Sequence, residues 1–264
     1  MDDPELVDFE ANGVALPPGG EAGFVETDGA RIAFTSFGQG PAVILLHGGM
    51  GNSGNFGKQI PAIVAAGYRA VAIDSRGHGR STWDGCPFSY DLMAADTLAV
   101  MDALGIARAA IVGWSDGACT GLALSKRAPE RIAGVFFFAC NVDDTGTKPF
   151  VMTDTIGRCI GRHRRDYETM SPTPGGFDTL FEAVGLMQRT LPDYSAGDLE
   201  SIAVPVTVAQ AERDEFIKPE HAAYIARTIP DARLVHLKDV THFAPLQRPD
   251  VFNAAVLEFL AKVE

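Results

Sequence analysis

Long apolar runs, basic charge and paired cysteines are all scarce in this chain of 264 residues, and each shortage narrows what it can be. The longest apolar stretches, such as Ala42 to Leu46 and Gly134 to Cys140, are strand-sized. They fall well short of the roughly 20 residues a membrane-crossing helix needs. Lysine and arginine total 22 against 34 acidic residues, a formal net charge of −12. A surface of that sign repels phosphate backbones and anionic membranes, so neither nucleic acid nor membrane is an expected partner. Only four cysteines occur (Cys86, Cys119, Cys140, Cys159), with no C-x-x-C pair and no zinc-like spacing. Met1 to Glu10 is acidic and has neither the basic nor the apolar region of a secretory leader. Reduced thiols in a cytoplasmic protein are the expectation, and a mature periplasmic form stays open.

What is present is an ordinary globular composition, 46% hydrophobic and 21% charged, which argues against extensive disorder. Residues 1–22 read as a poorly ordered or extended lead-in without periodicity, containing Pro17-Pro18-Gly19-Gly20. Strand-like and helix-like stretches then alternate. Phe24–Thr27 and Arg31–Phe37 flank an Asp28-Gly29 turn signal and read as a hairpin. Further strands are expected at Ala42–Leu46, Ala70–Ile73, Ala109–Gly113, Ile132–Ala139, Val204–Ala209 and Arg233–Leu237. Helices are expected at Ser53–Ala66, Tyr90–Leu104, Asp116–Ala128, Pro219–Thr228 and Pro249–Val263. This rhythm predicts an α/β fold, an eight-stranded, mostly parallel sheet with helices on both faces. Residues 143–201 break it with two helical stretches, Thr153–Thr169 and Phe177–Thr190, and no strand. A helical cap inserted into a core of residues 23–142 and 202–264 is the expectation.

The strongest motif is Gly113-Trp114-Ser115-Asp116-Gly117, placed between an apolar strand and a helix. A serine on so sharp a turn crowds the positions two before and two after, which glycine relieves. The turn also aims backbone N–H groups of the next helix at a developing oxyanion. A serine hydroxyl needs a base, and the base an orienting carboxylate. His242 follows the last predicted strand; His236 lies inside that strand and His221 in a helix. Asp214 follows the strand Val204–Ala209, giving the chain order Ser, Asp, His. Asp143, Asp144 and Glu212 remain alternative acids, while Asp239 is too near His242 in sequence.

His47-Gly48-Gly49-Met50-Gly51 follows a strand end and suits a loop whose backbone faces the nucleophile. Gly49, with Met50 next, is the expected first oxyanion donor, and Asp116 supplies the second N–H. His47 reads as a loop organiser. Asp74-Ser75-Arg76-Gly77-His78-Gly79-Arg80-Ser81 reads as a tight hydrogen-bonded turn, not a metal site. No phosphate-binding glycine motif and no metal cluster is evident, so neither metal nor cofactor is expected.

Together these segments resemble the α/β-hydrolase superfamily from about Phe24 to the end of the chain. The elbow looks particularly like the biphenyl-hydrolase-like (valacyclovir hydrolase) branch, and enol-lactonases and small carboxylesterases share much of the pattern. The resemblance implies a triad of Ser115, Asp214 and His242 and hydrolysis of a small-molecule ester or lactone. Carbon–carbon bond hydrolysis, perhydrolysis, hydroxynitrile cleavage and slow signal-receptor chemistry use the same triad and stay open. Met50, Trp114, Phe150, Phe181 and Met187 are the candidate substrate contacts. Asp116 invites two readings: partner of a substrate ammonium, or cap of its own helix.

Overall fold

Alternation of apolar runs with helix formers sets the order in which the chain crosses its sheet. The computed structural model describes residues 3–263, so Met1, Asp2 and Glu264 lie outside it. The chain opens with helix α1 (Pro4–Asn12), not with an extended lead-in. Asp3 caps it by accepting the Glu5 N–H at 3.0 Å, Pro4 sits at its first turn, and Gly13, at φ 70°, ends it. Leu6 and Phe9, three apart, are its buried face.

The hairpin follows as β1 (Glu21–Thr27) and β2 (Ala30–Phe37), with Gly29 taking the positive φ of the turn. β3 (Ala42–Leu46) leads into Ser53–Phe56, a 3₁₀ turn, and then α2 (Ile60–Ala65). The single helix expected over residues 53–66 is thus two pieces, because Pro61 starts a helix rather than continuing one. β4 (Arg69–Ile73), α3 (Tyr90–Ala103), β5 (Ala109–Trp114), α4 (Asp116–Arg127) and β6 (Ile132–Phe138) complete the first half. Between β6 and the next strand stand α5 (Asp154–Met170), α6 (Phe177–Thr190) and the short α7 (Ala196–Glu200). The chain returns through β7 (Val206–Ala211), α8 (Pro219–Thr228), β8 (Ala232–Leu237), α9 (Ala244–Gln247) and α10 (Pro249–Leu260).

The eight strands form one sheet in the order β1-β2-β4-β3-β5-β6-β7-β8. β1 and β2 run antiparallel to their neighbours, and every later pairing is parallel. Period-two alternation sends Ile44, Leu46, Ile111, Val135 and Phe137 to a core shared with α3, α4 and α8. Val43, Leu45, Val112, Phe136 and Phe138 go to the opposite core, shared with α1, α2 and α10. Central strands buried on both faces need continuous apolar runs, which is what β3 and β6 supply. The carboxyl ends of β3, β5, β6, β7 and β8 therefore lie along one edge of the sheet with the loops that follow them.

Candidate active site

Ser115 stands between β5 and α4 with φ 53° and ψ −121°, a strained conformation for a residue with a side chain. The flanking glycines are sterically required. A Cβ on Gly113 would lie 2.4 Å from the Gly117 carbonyl oxygen, and one on Gly117 would lie 1.9 Å from the Leu46 carbonyl oxygen. The Ser115 N–H bonds the Phe138 carbonyl at 2.9 Å, which ties the turn to β6.

His242 lies in the loop after β8, and Asp214 in the loop after β7. The imidazole Nδ1 is 3.2 Å from both Asp214 carboxylate oxygens. Asp214 Oδ1 also accepts the Phe216 and Ile217 N–H groups, each at 2.9 Å. Burial favours the neutral acid, but His242 and these donors outweigh it and hold the Asp214 carboxyl below its ordinary value. Burial likewise lowers His242, yet Asp214, then Glu215 and Asp116, raise it more, so the imidazole lies above the usual histidine value. Glu215 fixes the loop by accepting the His242 N–H at 2.9 Å. Two of the alternative acids are engaged elsewhere: Asp143 accepts from Thr145, and Glu212 accepts the Asp239 N–H. His236 is exposed, while His221 accepts the Val142 N–H at 3.0 Å as part of the framework. Ser115 and His242 line one cavity but share no hydrogen bond among the described residues.

The glycine loop after β3 runs past the serine. A Cβ on Gly48 would lie 3.2 Å from that of Ser115, and one on Gly49 would lie 2.6 Å from Asp116 Oδ2. Among the described residues no acceptor meets the backbone N–H of Gly49 or Asp116. His47 organises this loop: Nδ1 bonds the Gly48 carbonyl at 2.7 Å, and Nε2 accepts the Ser75 N–H at 3.0 Å. In the turn after β4, Asp74 accepts the Ser53 and Arg80 N–H groups, and Arg76 makes two 2.7 Å bonds to Asp96. No group of three or more potential metal ligands exists among the described residues.

The cavity, about 230 Å³, lies between the sheet edge and the helical insertion. Of the candidate substrate contacts, Met50, Trp114, Phe150 and Phe181 line it. Met187 does not; it is 2% exposed and packed in the core with Val184. The apolar spacing of α6 marks a buried face without saying which part reaches the cavity. Asp116 is buried beside the serine, with Oδ1 accepting the Tyr90 hydroxyl and Oδ2 the Gln188 amide, both at 3.0 Å. Those oxygens serve side-chain donors, so the carboxylate is not a helix cap.

A family model described as the alpha/beta hydrolase fold matches residues 41–156. The N-acyl homoserine lactone degrading enzyme Est816 superposes with a TM-score of 0.73, at 26% identity, over 90% of this chain and 100% of its own. This is an α/β-hydrolase-fold protein. The human serine hydrolase BPHL is 26% identical, spanning 89% of this chain and 85% of its own length. A 2-hydroxy-6-oxononadienedioate/2-hydroxy-6-oxononatrienedioate hydrolase of Pseudomonas putida is also 26% identical, over 87% of this chain and 91% of its own.

For an α/β-hydrolase-fold protein, the arrangement offers a strained serine at a helix N-terminus, an imidazole polarised by a buried carboxylate, and two free backbone donors. Tyr90, Gln188, Glu215 and Phe216 also build the site and carry no motif in the sequence. The Phe216 ring packs edge-on to His242 at 4.6 Å. No described helix is long and apolar enough to cross a membrane.

Proposed function

We propose that the protein is a serine hydrolase that cleaves a small carboxylic ester or lactone through an acyl-enzyme on Ser115. The observation that carries this reading is the strained Ser115 sharing one apolar cavity with a His242 that Asp214 holds from behind. In the first half-reaction Ser115 Oγ attacks the carbonyl while His242 Nε2 takes its proton, and Asp214 stabilises the imidazolium. The Gly49 and Asp116 N–H groups receive the oxyanion. His242 then protonates the leaving alcohol, and afterwards draws a proton from water for deacylation. The chemistry is complete without metal or organic cofactor. Residues 143–201 act as the cap over this site. The four free thiols suit a reducing, cytoplasmic setting.

Carbon–carbon bond hydrolysis of a dicarboxylate, the activity named for the Pseudomonas putida relative, is the second reading. Charge disfavours it: the cavity wall includes the Asp116 carboxylate and no lysine or arginine. A neutral ester, or one carrying an ammonium near Asp116, is the better electrostatic match.

A panel of 4-nitrophenyl esters, lactones and a dienedioate tests these readings, with Ser115→Ala as control. Turnover of esters or lactones, lost in the variant, is expected. Near-parental ester turnover in Ser115→Ala would remove the assignment. Alanyl esters favoured over acetyl esters, with the preference lost in Asp116→Asn, would establish the ammonium contact; equal rates would reject it.

A further inference from the structure

Each buried histidine but one has a hydrogen bond to account for it. His47, His78, His221 and His242 all bond through at least one ring nitrogen. His163 does not. It sits on α5, lines the cavity and is only 5% exposed, yet neither ring nitrogen has a hydrogen-bond partner among the described residues. Its Nε2 is fully enclosed, and its one ring contact is the edge-on Phe9 of α1 at 5.5 Å. Its helical neighbours on the cavity wall are Ile156, Cys159 and Ile160, so leucine or phenylalanine would pack there without an unpaired polar group.

A neutral imidazole brings one donor and one acceptor, and burying either unpaired is unfavourable. A residue that disfavours the free protein while facing the substrate cavity is best explained by what the bound state returns. We propose that His163 determines specificity by hydrogen-bonding an uncharged hydroxyl or carbonyl group of the substrate held at Ser115. Burial, followed by the nearby His47 and Arg162, pushes the imidazole pKa down to about 3. The ring is therefore neutral at working pH and suits an uncharged group better than a carboxylate.

The proposal rests on the serine-hydrolase reading, so the test separates the two. One set of 4-nitrophenyl esters carries a hydroxyl at the third or the seventh acyl carbon, positions that do not close to a five- or six-membered lactone, each paired with its methyl isostere. A second set places the hydroxyl on the alcohol side, as butyrate monoesters of short diols paired with alkyl butyrates. The parent should favour at least one hydroxylated member about tenfold in kcat/KM, the value of one good hydrogen bond. His163→Leu should erase that preference while its melting temperature stays level or rises. His163→Gln, which keeps a donor and an acceptor, should retain part of the preference. Absence of preference in both sets, or a preference surviving in His163→Leu, overturns the proposal. So does a lower melting temperature in His163→Leu with unchanged ratios, which marks a core histidine. Fluorophosphonate labelling of Ser115 accompanies each assay: labelling with unchanged ratios sinks the His163 role alone, whereas no labelling in the parent sinks the reading beneath it.

Discussion

Replacing Gly117 by alanine tests how tightly the elbow is built. The added Cβ would lie 1.9 Å from the Leu46 carbonyl oxygen, 2.4 Å from its carbon and 2.8 Å from its Cβ. A carbon–oxygen contact is ordinarily comfortable from about 3.3 Å, so roughly 1.4 Å of separation must be found. Leu46 cannot supply it cheaply. It ends the central strand β3 and is held in register with Ile73 on one side and Gly113 on the other. Movement of α4 instead would pull Ser115 away from the Gly48–Gly49 loop. The strain should reach or exceed the top of the overpacking range, about 3 kcal/mol, out of a total stability of about 5–15 kcal/mol. Urea unfolding followed by circular dichroism measures the loss, and 4-nitrophenyl acetate turnover measures the displaced elbow. Stability within about 1 kcal/mol of the parent, with turnover undiminished, would refute the steric argument.

Asp214→Asn removes the largest upward influence on His242, so kcat/KM should fall about 10³–10⁴-fold. Because the base works neutral, the parent's rate rises with pH through a His242 pKa lying above the usual histidine value; the variant's rising limb should sit at lower pH, and a pH–rate profile with an unmoved limb contradicts this. Arg76→Met leaves the buried Asp96 carboxylate unpaired and should destabilise by about 3–5 kcal/mol, while Arg76→Met with Asp96→Leu recovers most of it in urea unfolding. Gly157→Ala, where a Cβ meets only Met152 Sδ at 3.9 Å, should stabilise α5 by about 0.5–1 kcal/mol in thermal melts.

Local chemistry explains which parts of this architecture were legible beforehand. The hairpin announced itself through Asp28-Gly29, and Phe177–Thr190 and Pro219–Thr228 stand where their patterns put them. The elbow was readable because its glycines answer to contacts within the motif and the adjoining strand. α1 had its signals too, Asp3-Pro4 before it and Gly13 after it, but its apolar face is only Leu6 and Phe9, too brief for periodicity. The expected helix over residues 53–66 failed at Pro61, whose missing N–H outweighs the apolar spacing around it. Contacts made across the fold were invisible. Asp116 receives donors from Tyr90 and Gln188, 26 and 72 residues away, and no spacing rule reaches that far. Met187 was misplaced for the same reason: helical periodicity separates buried from exposed, not cavity wall from core.

Fluorophosphonate labelling read by intact mass and peptide mapping probes the activated serine itself. The account predicts a single phosphonyl adduct on the peptide containing Ser115, abolished in Ser115→Ala and strongly slowed in His242→Ala. An unreactive parent protein, or an adduct on any other residue, would contradict it.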